Sequence, residues 1–281
     1  MLISQIAIKE QINLKKHCCI SQNDKAEIYL ITDTNQANFV LKVFTGENAQ
    51  HQCQLETDSL HFFEREAALS TPQVTQINKL AQTHYFLMEY MPNKIKSSDY
   101  WEIFGRQLAL THLTTNNFFG LHFDNYIGQL KQSNAPKKQK AFDFFIYNRL
   151  EPQFELARKK GFHFNALDSF YKNLENLISD EKPALIHGDL WHGNLLSDEK
   201  GRPSVIDTAC CFAPRPMDWA MMELFGGFDS SWVDSYHEVY SMPTNWKKDL
   251  AIWQLYFLLV HLNSFGKSYY NPCQEIITKY R

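Results

Sequence analysis

The chain has 281 residues, 44% of them hydrophobic and 21% charged, which is typical of a folded protein with one large domain or two lobes. Its formal net charge of -3 argues against nucleic acid or an anionic membrane as the main partner. The N-terminus lacks the pattern of a secretory signal, and the longest apolar stretch, residues 250–262, is too short to span a bilayer. We therefore expect a cytoplasmic protein with no membrane partner.

The first third of the chain is rich in predicted β-strands. Residues 27–32 and 39–44 are β-prone runs, and the turn-forming residues 33–36 between them predict an antiparallel hairpin. Lys42 alternates with apolar neighbours in the second run. On its own, such a lysine is more often on the solvated face of a strand than in a functional site.

The character of the sequence changes after the first ninety residues or so. Residues 86–92 form an apolar run that ends in a proline, which suits either the last strand of a sheet or a connector between lobes. From Tyr100 onward, apolar residues recur at helical spacing. The sequence predicts an α+β protein with two lobes, a small β-rich lobe over residues 1–92 and a larger, mostly helical lobe over residues 93–281.

The central motif is a turn rich in glycine and polar residues that joins two short apolar runs. Asp189 and Asn194 in this turn have the spacing of the kinase catalytic loop. In that loop the aspartate accepts the proton of the attacking hydroxyl, and the asparagine holds magnesium. Asp207 follows a short apolar strand, where it would supply a second metal ligand. Taken singly, Asp189 or Asn194 could instead cap the turn or bond its own backbone.

Four motifs extend this pattern: His-Gly-Asp-Leu-Trp-x-Gly-Asn at 187–194, Asp-x-Ala-Met at 218–221, Leu-Phe-Gly-Gly-Phe at 224–228 and His-Leu-Asn-x-Phe-Gly at 261–266. Together they resemble the fructosamine kinase family, the ketosamine 3-kinases, from about Cys19 to Tyr270. The resemblance implies the two-lobed, protein-kinase-like fold of the aminoglycoside phosphotransferases, with ATP and Mg²⁺ as cofactors. It also implies that Asp189 is the catalytic residue and that Asn194 and Asp207 hold the metal.

The resemblance further implies that the N-terminal lobe binds the nucleotide. Lys42 would position the ATP phosphates. A kinase lysine of this kind needs a carboxylate from the next helix to hold it. Glu56 fits the family pattern best, and Glu64 and Glu66 are the alternatives.

Three further residues would contact ATP through their backbone. The amide of Ser21 would bind phosphate, and the backbone of Glu89 and Met91 would bind the adenine edge. The phosphate loop departs from the family, because His17 and Cys18 stand where glycines are usual. The amide of Ser21 can still cradle phosphate there, with less freedom of approach.

The acceptor site is the least defined part of the pattern. The residues that follow Asp207 differ from those usual in the family. We expect this difference to affect acceptor specificity more than phosphoryl transfer. Asp218 would brace the catalytic loop or cap a helix, and His261 would bind the acceptor or pack in the core. The candidates for acceptor binding or for support of the site are Trp191, His192, Arg215, Asp218, His261 and Asn263.

The implied reaction is transfer of the ATP γ-phosphoryl group to the 3-hydroxyl of a ketosamine, free or on glycated protein lysines. Ribulosamine, erythrulosamine and fructosamine adducts are the candidate acceptors, and the labile product would lead to deglycation. We expect a monomer or a weak homodimer. The alternatives are another small-molecule kinase of the same fold, acting on an aminoglycoside or choline, and a non-catalytic nucleotide-binding protein.

Overall fold

The computed structural model describes residues 1–23, 25–179 and 181–281. Its N-terminal part is a five-stranded antiparallel sheet with the strand order β1-β2-β3-β5-β4. The strands are β1 Leu14–Gln22, β2 Ala26–Asp33, β3 Asn38–Phe44, β4 Val74–Leu80 and β5 Thr83–Glu89. Two helices accompany the sheet, α1 Leu2–Lys9 and α2 Ala49–Glu66.

Both faces of this sheet are covered, because successive side chains of a strand point to opposite faces. In β3, Leu41 and Val43 pack with α1, and Val40 and Phe44 pack with α2. Lys42 alternates with Leu41 and Val43, so its side chain lies on the α2 face rather than on a solvated face. The predicted hairpin of β2 and β3 is confirmed.

The rest of the chain is mostly helical and surrounds the largest hydrophobic core. Its helices are α3 Tyr100–Leu113, α4 Ala141–Phe144, α5 Glu151–Lys159, α6 Leu167–Leu177, α7 Pro216–Phe225, α8 Ser231–Val239, α9 Leu250–Phe265 and α10 Tyr270–Lys279. A π-helical turn, Phe145–Leu150, joins α4 to α5. Helix α9 is apolar on nearly all sides, and most of its residues are buried in the core.

Three short antiparallel pairs of strands lie between these helices: β6 Asn125–Ile127 with β7 Leu130–Gln132, β8 Ala184–Ile186 with β11 Cys211–Ala213, and β9 Leu195–Ser197 with β10 Pro203–Val205. The α+β class and the two-lobed arrangement are confirmed. The proposed boundary after residue 92 falls between β5 and α3 and stays a prediction. Among the residues that the structure describes, no helix is long and apolar enough to cross a membrane.

Candidate active site

The turn between β8 and β9 is held in shape by His187. Its Nε2 lies 3.0 Å from the carbonyl oxygen of Ile206, and its Nδ1 lies 3.2 Å from the backbone nitrogen of Asp189. The ring therefore donates from Nε2 and accepts at Nδ1, which is a neutral tautomer inferred from the partners. Burial lowers the pKa of His187, which favours this neutral form.

Two glycines allow the turn to pack closely. Gly188 has a φ of 82°, and a Cβ built on it would lie 2.2 Å from the carbonyl oxygen of Ala209. A Cβ on Gly193 would lie 2.2 Å from the Trp191 ring, so that ring can fold over the loop only because residue 193 is glycine. The two glycines of the motif are therefore required by the close approach of neighbouring groups, independently of the chemistry of Asp189 and Asn194.

Backbone hydrogen bonds bring Asp207 to this turn. The amide of Ile206 donates to the carbonyl of Asn194 at 3.0 Å, and the amide of Ala209 donates to the carbonyl of His187 at 2.9 Å. Asp207 itself has a φ of 54°, in the left-handed region that aspartate tolerates better than most residues. The two segments are therefore joined on either side of Asp207.

Asp189 accepts hydrogen bonds from Asn194 and is partly buried. Asn194 Nδ2 donates to the Asp189 backbone oxygen at 2.9 Å and to Asp189 Oδ2 at 3.2 Å. Burial raises the pKa of Asp189 to about 7, and the nearby negative charge of Asp207 acts in the same direction. A carboxylate with this pKa is suited to accept a proton near neutral pH.

Lys42 of β3 connects the N-terminal sheet with Asp207 beside the turn. Its ammonium forms an ion pair with Glu56 of α2, and its Nζ lies 3.7 Å from Asp207 Oδ1. Burial on its own would lower the pKa of Lys42, but the charges of Glu56 and Asp207 outweigh burial and raise it. The partner of Lys42 is thus Glu56, not the alternatives Glu64 and Glu66.

We expect Glu56→Gln to lower kcat/KM for ATP by about tenfold, because a hydrogen bond between two charged groups is lost from a partly buried site. Steady-state kinetics with varied ATP would measure the change. Glu64→Gln is the matched control on the same helix and should leave kcat/KM for ATP unchanged. Equal effects of the two substitutions would mean that the ion pair does not position Lys42.

Asp218, in the first turn of α7, supports the turn from behind. Its carboxylate accepts hydrogen bonds from the amides of His187 at 2.8 Å and Gly188 at 2.9 Å, and it is fully buried. Of the two roles predicted for Asp218, the hydrogen bonds are those of a loop brace. No side-chain capping bond to α7 accompanies them.

A chain of buried groups continues from Asp218 to Arg215. His112 Nε2 lies 3.2 Å from Asp218, and His112 Nδ1 lies 2.8 Å from the hydroxyl of Tyr236. Burial lowers the pKa of His112, so its neutral ring donates to Asp218 and accepts from Tyr236. Arg215 reaches the same hydroxyl at 3.5 Å and pairs with Glu181 at 3.1 Å. His112 and Tyr236 were not identified from the sequence, where no motif marks them.

Two cavities meet at the turn between β8 and β9. The first, called here the cleft cavity, has a volume of about 270 Å³ and is lined by Ser21, Lys42, Glu56, Asn194 and Asp207, among others. The second, the α9 cavity, has a volume of about 630 Å³ and is lined by His261 and Asn263 of α9, among others. Asp189 and Trp191 line both cavities.

The β6–β7 hairpin also borders both cavities, through Gly128 and Gln129. Gln129 lies in the turn of this hairpin, and its backbone carbonyl accepts a hydrogen bond from Lys25 Nζ at 2.8 Å. A two-residue turn between short β-prone runs marks the hairpin in the sequence. Nothing local to the hairpin indicates that it lines a site.

The remaining predicted site residues lie outside the linings of the two cavities. His192 packs against Gly227, and Arg215 stacks over the Tyr240 ring at 3.8 Å, so neither lines the cavities. The Glu89 amide donates to the Gln73 carbonyl at 3.0 Å. Glu89 and Met91 also lie outside the linings of both cavities.

The oxygen atoms at the turn suit Mg²⁺. Asn194 uses its Nδ2 toward Asp189, which leaves its Oδ1 as the atom for a cation, and Asp207 adds a carboxylate. Mg²⁺ is commonly held by one or two such side chains together with phosphate oxygens and water. Within the described ranges, no group of three or more His, Cys, Asp or Glu residues is arranged to hold a metal ion without such help.

Fold and site together define the class, a protein-kinase-like phosphotransferase with an alcohol group as acceptor. Comparison with known families narrows it further. The model of the family described as fructosamine kinase matches residues 2–281, and the chain belongs to that family.

Known proteins agree with this placement. A probable ketoamine kinase of Vibrio vulnificus is 31% identical over 264 residues, which cover 92% of this chain and 90% of the relative. A solved structure from Haemophilus somnus, a candidate fructosamine-3-kinase, has a TM-score of 0.87 at 23% identity and covers 99% of this chain and 96% of its own. An amicoumacin kinase solved with AMP-PNP and Ca²⁺ shares the fold, with a TM-score of 0.55 at 14% identity over 98% of this chain and 92% of its own.

Proposed function

We propose that the protein is an ATP-dependent kinase that phosphorylates the 3-hydroxyl of ketosamines. The observation that carries the proposal is the position of Asp189, which lines both the cleft cavity and the α9 cavity. A carboxylate at this junction can meet a nucleotide from one side and an acceptor hydroxyl from the other. Membership of the fructosamine kinase family supports a sugar-amine acceptor.

In the proposed reaction, Asp189 accepts the proton of the acceptor hydroxyl. The hydroxyl oxygen forms a bond to the γ-phosphorus while the bond from that phosphorus to the ADP oxygen breaks. Lys42, held by Glu56, would contact the phosphates from the sheet side, and Ser21, which lines the same cavity, would bind phosphate through its amide. The adenine edge would lie against the backbone of Glu89 and Met91.

Asn194 and Asp207 would hold Mg²⁺ with the phosphates. When bound, the ion would neutralise the charge that develops on the β- and γ-phosphates. The nucleotide analogue and divalent cation bound to the amicoumacin kinase support a nucleotide and a metal in this fold. Trp191 covers the junction, and its flat ring suits packing against a sugar.

The proposed product, a ketosamine 3-phosphate, is labile because inorganic phosphate can leave by elimination and free the amine. Such a reaction would remove sugar adducts from proteins or small amines in the cytoplasm.

An aminoglycoside is a less suitable acceptor for the α9 cavity. Lys25 and Lys160 line this cavity, and among the described residues Asp189 is the one carboxylate in the lining. A polycation would be repelled by the two ammonium groups and would find little compensating charge.

The intact set of Lys42, Asp189 and Asp207 disfavours a non-catalytic role.

We expect Mg²⁺-dependent ATP turnover with ribulosamine, erythrulosamine and fructosamine adducts of lysine, and background turnover with an aminoglycoside or choline. Coupled measurement of ADP release would test the panel, and chelation of Mg²⁺ should return every rate to background. Turnover confined to the aminoglycoside or choline would keep the kinase chemistry and reject the ketosamine. ATP binding without turnover of any acceptor would favour the non-catalytic alternative.

A further inference from the structure

We propose that the preferred acceptor carries an anionic group and that Lys160 binds it at the end of the α9 cavity remote from the reacting hydroxyl. This inference rests on the proposed function and names its substrate class. Ketosamines of free amino acids, which carry a carboxylate, belong to this class, and so do ketosamines with a phosphorylated sugar.

The charge of the α9 cavity is the first observation. Asp189 lies where this cavity meets the cleft cavity, so the reacting hydroxyl must lie at that end. The other charged groups of the lining are the ammonium groups of Lys25 and Lys160. A neutral or cationic substituent would leave both cations without a partner from the substrate, whereas an anion would pair with one of them.

The position of Lys160 is the second observation. Lys160 follows the last residue of α5, and its ammonium donates to the backbone oxygen of Asn263 in α9. An ammonium has three donors, so this contact holds the side chain in place and leaves two donors for a ligand. No carboxylate of the described residues forms an ion pair with Lys160.

The mouth of the cavity is the third observation. Phe265, which ends α9 and also lines the cavity, is 72% exposed, so the cavity opens to solvent beside it. An elongated acceptor with its hydroxyl at Asp189 can extend in this direction. Phe265, His261 and Tyr269 form an aromatic group here, with ring centroids 5.2–6.4 Å apart.

Lys25 is less suited to the same role. It immediately precedes β2, and its ammonium donates to the carbonyl of Gln129, a residue that lines both cavities. The ammonium of Lys25 would therefore lie near the reacting hydroxyl and the phosphates of the nucleotide. Lys25 lines the α9 cavity and also a third, small cavity beside Lys42 and Glu56, whereas Lys160 lines only the α9 cavity.

The test compares acids with their amides. Ribulosamine adducts of glycine, β-alanine and γ-aminobutyrate place a carboxylate at increasing distance from the sugar, and the corresponding amides remove its charge. We expect kcat/KM of at least one acid to exceed that of its amide by about tenfold. Lys160→Gln should bring this ratio close to one and change the rates with the amides by less than about twofold.

Lys159→Gln is the matched control, since Lys159 is exposed and lines neither cavity. It should keep the ratio of the wild type, and so should Lys160→Arg, which retains the charge. If Lys160→Gln does not fold, Lys160→Met, which also removes the charge, takes its place and should likewise bring the ratio close to one. Ratios near one in the wild type, or a ratio that Lys160→Gln leaves unchanged, would overturn the inference.

A ribulosamine 5-phosphate adduct of glycinamide separates the two sources of the anion. Preference for this compound over its unphosphorylated form, lost in Lys160→Gln, would support the inference and place the anion on the sugar. Turnover of all adducts without regard to charge would overturn the inference but leave the kinase assignment intact. Failure of every ketosamine to react would overturn both.

Discussion

Asp189→Asn should lower kcat by roughly 10²–10⁴-fold, which is the usual contribution of a general base. The amide cannot accept the proton of the acceptor hydroxyl at neutral pH. It can still accept the hydrogen bond that Asn194 Nδ2 now donates to Asp189 Oδ2, so the turn should keep its shape. The affinity for ATP, measured by calorimetry, should stay within a few fold, because Lys42, Glu56 and Asp207 are untouched.

The control for this substitution is Asp234→Asn, which neutralises an exposed carboxylate on α8. It should leave both kcat and ATP affinity unchanged. Near-normal turnover by Asp189→Asn would mean that another group accepts the proton. A parallel loss of ATP affinity and turnover would mean that Asp189 acts in nucleotide binding rather than in proton transfer.

The proximity of Asp189, Asn194 and Asp207 could be predicted from the sequence because these residues are close together in the chain. Asp189, Asn194 and Asp207 lie within nineteen residues, and the hydrogen bonds that join them follow from a strand, a turn and a second strand. The order of strands and helices could also be predicted, since the alternation of apolar and polar residues and helical periodicity are properties of short segments.

The face on which Lys42 lies could not be read from alternation alone. A strand with one solvated face and a strand covered by helices on both faces give a similar pattern around a single lysine. The structure decides the matter because α1 covers Leu41 and Val43 while α2 covers Val40 and Phe44. Lys42 consequently meets the carboxylate of a helix instead of water.

The contact of His112 with Asp218 and the charged end of the α9 cavity could not be predicted from the sequence, for a different reason. His112 and Asp218 are 106 residues apart, and Lys160 and Asn263 are 103 residues apart. Such contacts depend on how α3, α5, α7 and α9 pack, and no motif of adjacent residues records that packing. Arg215 was noticed in the sequence, but its connection through Tyr236 and His112 was not.

Asp218→Asn should lower both stability and turnover, since Asp218 accepts hydrogen bonds on both oxygens. Oδ2 accepts from His187 and His112, and Oδ1 accepts from Gly188, so the new NH₂ group should replace Oδ1, where it loses only one bond. The Gly188 amide would then be buried without an acceptor. We expect the free energy of unfolding in urea to fall by roughly 1–3 kcal/mol. Turnover should fall by roughly 10–100-fold, as for other groups that orient a site.

Turnover per folded molecule separates the two effects of this substitution. Tyr236→Phe is the matched variant, because it removes the hydroxyl that reaches His112 but leaves all bonds of Asp218 to the turn. It should cost stability while kcat at saturating ATP changes little. If Asp218→Asn behaves in the same way, Asp218 acts on stability alone. If kcat falls at saturating ATP in the folded protein, the two amides of the turn must be fixed for Asp189 to meet the acceptor hydroxyl.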